Sequence, residues 1–442
     1  MRSPYDREIL RLALPALGAL AAEPLYVLVD TAIVGHLGTV QLAALALAAT
    51  LITGAFTLCN FLTYGTTAQV ARAHGAGDRV LAGRLAAQAL WLALGLGAGL
   101  TVLTAALAAP AVAAVGGDGA TGEGAVTYLR IAALGLPCAL VALSGQGYLR
   151  GTGDLRTPLV IVVVAQAVNV VLEVLFVYGF GWGLAGSAWG TVIAQAGMGA
   201  GFAAVLWRAP ADTRRPRRDL MAPLARVGSD IFVRTAALYA TFLLASALLA
   251  RVSAPALGAH QIAFQLFAFL ALVLDAIAIA GQVIVGRALG GGDEATAVGA
   301  SRRMIGWSLA VGALMAAALL ALAAVLPRAF TSDPAVLDEA AAAWPLFAAV
   351  VTVGAVAFAL DGILIGAGDT RYLKWAMLLA SLGVFVPAAL ILGDGIAGVW
   401  VALLLWMVAR AATLGVRFAG PGWRVTGAPA RSPARASRAR SR

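Results

Sequence analysis

Apolar residues along this chain fall into long, nearly unbroken runs separated by short polar breaks. Twelve runs can be read, at about 10–34, 42–70, 83–109, 124–149, 157–180, 184–207, 224–250, 257–287, 300–326, 335–365, 372–392 and 396–418. Roughly twenty apolar residues suffice to cross the hydrocarbon core of a bilayer as a helix. Membrane-spanning strands would be shorter and would alternate apolar and polar positions, so the pattern predicts helices. The runs at 42–70 and 257–287 are longer than one crossing needs and predict tilted or bent helices.

The breaks repeat. Gly151-Thr152-Gly153-Asp154-Leu155-Arg156 returns 215 residues later as Gly366-Ala367-Gly368-Asp369-Thr370-Arg371. Arg72, Gly75, Gly77 and Asp78 return at the same offset as Arg287, Gly290, Gly292 and Asp293, and Gly183-Leu184-Ala185-Gly186 returns after 212 residues as Gly395-Ile396-Ala397-Gly398. An internal repeat decides architecture before any single element does. An even number of spans separates equivalent points, so the halves enter the membrane in the same sense and form parallel repeats. The expected organisation is an all-α integral membrane protein of 12 transmembrane helices in two six-helix bundles. Residues 1–207 form an N-terminal lobe, 208–222 a basic, proline-broken cytoplasmic linker, 223–419 a C-terminal lobe and 420–442 a disordered basic tail. At the repeated turns glycine permits tight geometry and the aspartate can cap the next helix.

Composition supports the membrane reading. The chain is 61% hydrophobic and 12% charged, against about one quarter charged in soluble domains. Soluble enzymes, secreted domains and nucleic-acid binders are disfavoured. The net charge of +10 is read as the positive-inside bias. With the N-terminus in the cytoplasm, only Arg130, Arg234, Arg251 and Arg328 fall outside cytoplasmic segments and adjoining helix ends. Both termini are therefore expected in the cytoplasm, with Arg410 counted among the cytoplasmic charges. Arginine outnumbers lysine thirty to one, Lys374 being the single lysine, which suggests a GC-rich bacterial genome and a place in the bacterial cytoplasmic (inner) membrane. Cys59 and Cys138 both lie in apolar runs and read as packing residues. The basic N-terminus and Ala19-Leu20-Ala21 resemble a signal peptide, but the run continues to Gly35, so a first transmembrane helix is expected.

An ionisable side chain within the membrane is costly and points to function. Glu23, Asp30, Glu173, Asp275 and Asp361 lie inside predicted spans. Glu23 and Asp30 are seven residues apart and share a helix face, with Pro24 inviting a bend between them. Asn169 and Glu173 share a face in the fifth span, as Thr191 and Gln195 do in the sixth. Oxygen groups of this kind can hold sodium, or share a proton when like charges crowd. At the repeat offset Asp30 falls on Ala245, Asp361 on Gln146 and Asp275 on Asn60, so the scaffold is duplicated and the carboxylates are not.

Other groups read as structural. His36, His74 and His260 are scattered and form no catalytic constellation, so the chain is not expected to be an enzyme. Arg234, four residues after Asp230, is expected to pair with it locally. No strand precedes the Gly-x-Gly turns and no Walker lysine follows, which makes them turns and not nucleotide sites. Tyr26, Tyr128 and other aromatic residues could line a cavity for lipophilic cations.

Leu14-Pro15-Ala16 followed by Val29-Asp30-Thr31-Ala32-Ile33-Val34-Gly35-His36-Leu37-Gly38 resembles the multidrug and toxic compound extrusion (MATE) family, nearest its DinF-like branch. Gly151-Thr152-Gly153-Asp154 with Thr157-Pro158, Asn169-Val170-Val171-Leu172-Glu173, and Gly183-Leu184-Ala185-Gly186-Ser187-Ala188 match further family landmarks in order. The resemblance implies a V-shaped pair of six-helix bundles. It implies proton- or sodium-coupled antiport of organic, cationic or amphipathic compounds, with no other cofactor. It places ion coupling on Asp30, Asn169, Glu173 and Thr191, where sodium would be held. Glu23, Tyr26, Tyr128, Gln195, Asp275 and Asp361 are candidates for a substrate or second site. Glu173 stands where the family commonly has aspartate. The expected partners are a small organic molecule and the lipid bilayer, without nucleic acid, the protein acting as a monomer. A lipid-linked precursor flippase of the same superfamily is the alternative; it would want a cationic cleft, and Arg234 is the main basic residue within the spans.

Overall fold

The computed structural model describes residues 3–428, and every regular element among them is helical. The first seven spans are built from α1 (Pro4–Gly35), α2 (Thr39–Leu58), α3 (Phe61–Gly75), α4 (Arg79–Ala114), α5 (Gly119–Ala133), α6 (Leu136–Thr152), α7 (Arg156–Val174), α8 (Gly183–Arg208) and α9 (Arg218–Val252). The rest are α10 (Ala254–Gly290), α11 (Glu294–Ala321), α12 (Pro334–Gly366), α13 (Thr370–Leu378), α14 (Val386–Leu392) and α15 (Ile396–Ala419). Eleven spans are long and apolar enough to cross a membrane, and the pair α5 and α6, bent by 52°, completes a twelfth.

The run at 42–70 is interrupted at Cys59 and Asn60, between α2 and α3, whereas the equally long run at 257–287 lies in the uninterrupted α10. α1 stays helical through Pro15 and Pro24. α7 ends in a π-helical turn at Leu175–Gly179, and a second π-helical turn, Leu379–Phe385, joins α13 to α14.

The described chain separates into two compact units, one of Gly18–Gly228, the other of Met1–Leu17 with Ser229–Gly427. In the first, α6 packs against α3, α4 and α8; in the second, its repeat equivalent α12 packs against α10, α11 and α15. Glycine permits these approaches. A Cβ on Gly151 would lie 2.7 Å from the Val70 side chain, and one on Gly366 would lie 2.6 Å from the Gln282 carbonyl oxygen. The second unit adds a buried aromatic core of Trp344, Phe347, Phe385, Trp400 and Trp406. Phe242 meets Trp406 edge-on at 5.5 Å between ring centroids.

The sequence repeat is a repeat of backbone conformation. Gly77 and Gly292 adopt φ of +76° and +83°, and Gly153 and Gly368 adopt +85° and +77°. These left-handed values suit glycine alone without strain. Asp78 caps α4 by accepting from the Leu81 amide at 2.8 Å, and Asp293 caps α11 by accepting from the Thr296 amide at 2.9 Å. Asp154 likewise accepts from the Thr157 amide and hydroxyl at 3.0 and 2.6 Å. Asp369 departs from the expected cap, because its carboxylate is taken by Arg417 Nε at 2.6 Å.

The first turns of α1 bury Ile9, Leu12, Ala13 and Ala16. Asp6 accepts from Arg303 Nε and Nη2 at 2.6 and 2.8 Å and from Trp307 Nε1 at 2.8 Å. Residues 420–427, expected to be disordered, are ordered. Trp423 is buried, Arg424 pairs with Glu294 at 3.2 Å, and the Gly427 amide donates to the Leu289 carbonyl at 2.8 Å. The remainder of that tail lies outside the described residues.

The segment after α8 folds back along α4. Gln88, fully buried, donates to the Arg215 carbonyl at 3.1 Å and accepts from the Arg217 amide at 2.8 Å. Trp91 Nε1 donates to the Arg214 carbonyl at 2.8 Å, and Arg84 forms a two-pronged pair with Asp212. The Arg84 hydrogen bond holds the Asp212 carboxyl below the usual carboxylate range. A depressed value means that this attachment is present at neutral pH and is lost as the pH falls through it.

Two outcomes are expected. Gly362→Ala would set a Cβ 2.3 Å from the Ala278 carbonyl oxygen, and should lower stability by about 1–3 kcal/mol, read as a lower Tm in detergent. Asp212→Asn should speed tryptic cleavage between Arg214 and Arg218 several-fold at neutral pH, seen by timed electrophoresis.

Candidate functional site

Four helices of the first unit converge on a buried polar cluster. α7 contributes Asn169 and Glu173, one turn apart, at 2% and 0% exposure. α8 lies against that face at Gly190, where a Cβ would be 3.2 Å from the Glu173 amide nitrogen and 3.4 Å from Asn169 Oδ1. This close approach brings Ser187 and Thr191, on either side of Gly190 along α8, to the carboxyl. α1 supplies Tyr26 and Asp30, and α5 supplies Tyr128; Asp30 and Tyr128 are both buried.

The contacts define the cluster. Ser187 Oγ donates to Asp30 Oδ1 at 2.9 Å, and the Tyr26 and Thr191 hydroxyls are 3.2 Å apart. The Tyr128 hydroxyl adjoins those of Ser187 and Thr191. The Asp30 and Glu173 carboxyls are neighbours from α1 and α7, so one proton between them would serve both. Neither Glu173 oxygen receives a hydrogen bond from the described chain, nor does Asn169 Oδ1. Buried oxygens with no donor suit a cation or a proton, since burying them bare is costly.

The structure thus brings together Asp30, Asn169, Glu173, Thr191, Tyr26 and Tyr128. It does not bring in Glu23, which is exposed although it shares a nominal helix face with buried Asp30. Two turns of rise separate the two residues, and α1 meets its neighbours differently at each depth. Gln195 lies further along α8, with its side-chain oxygen against Gly135 where α5 and α6 bend. Ser187 is the member that sequence reasoning missed. Its spacing of four from Thr191 and eight from Gln195 marked a polar stripe on α8, but a serine among small residues carries little signal.

The second unit treats its buried carboxylates differently. Asp361 on α12 is bracketed by Arg234 from α9 and by Arg410 from α15, the latter at 2.7 Å. Arg410 is only 2% exposed and its guanidinium lies 4.9 Å from the Trp406 ring centroid. Two expectations are corrected here. Arg234 pairs across helices with Asp361, while Asp230 is engaged by Lys374 at 2.5 Å and by Thr370 at 3.4 Å. Arg410 is a buried partner of Asp361 and not a solvated cytoplasmic charge, so the spans hold a second buried guanidinium beside Arg234. Asp275 is half-buried in α10. His260, fully buried between Phe264 and Trp400, lies 3.1 Å from Ser246 Oγ, and His36 Nδ1 lies 2.6 Å from the Ala32 carbonyl.

Asp361→Asn should be severely destabilising, by about 3–5 kcal/mol, because it takes the carboxylate from the buried Arg410 guanidinium. Adding Arg410→Met should recover part of the loss. Thermal unfolding of the purified variants in detergent checks both.

The model of the MatE family matches the chain twice, over residues 15–175 and again over 231–391. The two matches are the two halves of the sequence repeat. A probable multidrug resistance protein NorM of Bradyrhizobium diazoefficiens is 32% identical, the alignment covering 93% of this chain and 92% of that one. The DNA damage-inducible protein F of Escherichia coli is 29% identical, over 92% and 91% respectively. A crystal structure of a MATE protein in a bent conformation superposes with a TM-score of 0.87 at 21% identity, covering 94% of this chain and 96% of the other. With the twofold family match and the twelve apolar spans, the chain belongs to the MatE family of multi-pass membrane transporters.

Proposed function

We propose that the chain is a cation-coupled antiporter of the bacterial cytoplasmic membrane that exports amphipathic or cationic organic compounds by alternating access. One observation carries the reading: two carboxyls from different helices, Asp30 and Glu173, face each other in a buried pocket lined by hydroxyl and amide groups, with no cation paired to either among the described residues. Such a pair is unsatisfied while both members are charged. It takes up a proton or a sodium ion, and the occupied site is cheaper to keep buried than the charged one. Asn169 and Thr191 add neutral oxygens suited to either ion.

Uptake from the outer side would release the bound organic compound outward, and ion release to the cytoplasm would reset the site. The membrane potential supplies about 2.3 kcal/mol per charge per 100 mV. α1 gives the site its lever, since a single helix carries Tyr26 and Asp30 at one end and the Asp6 contacts to Arg303 and Trp307 at the other. The names of the relatives, which include multidrug resistance proteins, support export of varied organic molecules. The protein acts as a monomer, each chain carrying a whole site.

In proteoliposomes with an imposed pH or sodium gradient, the wild-type protein should drive uptake or release of cationic dyes in step with ion movement. Asp30→Asn should abolish that coupling while the purified protein remains folded and monodisperse. Full ion-driven dye movement by this variant would defeat the proposal.

A further inference from the structure

We infer that Ser187 is a positioning residue of the coupling site: its hydroxyl fixes the charged Asp30 carboxylate and thereby sets how tightly the site holds a proton. The inference rests on the reading of Asp30 and Glu173 as that site.

Ser187, like the buried Ser144 and Ser308, donates across helices, but its acceptor is a carboxylate where theirs are backbone carbonyls. A serine or threonine within a helix commonly donates to the carbonyl four residues back. Thr31, Thr50, Thr57, Thr127, Ser301 and Thr352 all do so. Ser187 instead crosses from α8 to α1 and gives its single proton to Asp30 Oδ1 at 2.9 Å. It is fully buried, so no solvent competes for that bond. The hydroxyls of Tyr26 and Ser187 also flank Glu173, but neither makes a hydrogen bond to it. The titratable groups facing the pair are Tyr26 from α1 and Tyr128 from α5, with α8 adding only Ser187 and Thr191.

The two carboxyls are therefore unequal. Asp30 has one oxygen held by a donor, which orients the carboxylate and stabilises it when the ion is absent. Glu173 has no such donor. A hydrogen bond to a charged acceptor is among the stronger ones, and more so when buried. Because this bond favours the charged carboxylate over the protonated one, it works against retention of a proton and promotes its release. Removing it should let the site hold a proton more tightly, without removing either carboxyl.

The test measures dye transport in proteoliposomes as a function of coupling-ion concentration, by varying pH at fixed sodium and sodium at fixed pH. Ser187→Ala should lower the proton concentration at half-saturation about tenfold, with the protein folded. Ser187→Cys, similar in size but a weaker donor, should give a smaller shift in the same direction. It carries the comparison if the alanine variant is not monodisperse. An unchanged proton dependence, or a loss of maximal rate alone, would overturn the inference. So would a shift to weaker retention, which would make Ser187 an ion ligand. Asp30→Asn, assayed alongside, separates the two levels: full coupling by that variant defeats the coupling site itself, whatever Ser187 does.

Discussion

A carboxyl group inside an apolar helix bundle has to be neutralised by something, and the arrangement of this protein follows from how each one is. Asp361 is held by Arg234 and Arg410, drawn from two other helices. Asp230 is held by the chain's single lysine. Asp30 is held by the Ser187 hydroxyl and Glu173 by no donor, with no cation paired to either among the described residues. The first two arrangements are complete and cost energy to disturb. The third is incomplete, and an incomplete charge site in an apolar interior is one that an ion can fill.

The scaffold lets that difference stand. α6 and α12 occupy equivalent central positions, each meeting its neighbours over a glycine, at Gly151 and Gly366. The left-handed turns at Gly77 and Gly292, and at Gly153 and Gly368, are copies in conformation as well as in sequence. Yet the aromatic core of Trp344, Trp400 and Trp406 belongs to the second unit alone. The two halves share what closes the turns and packs the helices, while their interiors differ: one buries carboxylates against fixed cations, and the other buries Asp30 and Glu173 among hydroxyl and amide groups.

Much of this was legible in the sequence, because it depends on local signals. Run length determines a transmembrane helix, and offset determines a repeat. Asn169 and Glu173 are one turn apart on any helix, so their shared face followed from spacing alone. Cross-helix partners were not legible. Arg234 sits one turn from Asp230 and invited a local pair, but the side chain reaches Asp361 on α12. Arg410 lies near the C-terminal end and looked like a cytoplasmic charge, yet it is among the most buried residues of the chain. Glu23 shares a nominal helix face with Asp30 by periodicity, yet packing leaves it exposed while Asp30 is buried. Ser187 gave almost no signal, because its role depends on a residue 157 positions away.

The sequence by itself therefore determined the membrane environment, the twelve spans, the duplication, the family resemblance and which carboxylates lie within the spans. These rest on composition and on periodicities that the covalent chain carries with it. Only the tertiary structure decided which buried charges are satisfied. Neutralising a charge in an apolar medium takes a partner within a few ångströms, and here that partner comes from another helix, where separation along the chain says nothing about distance.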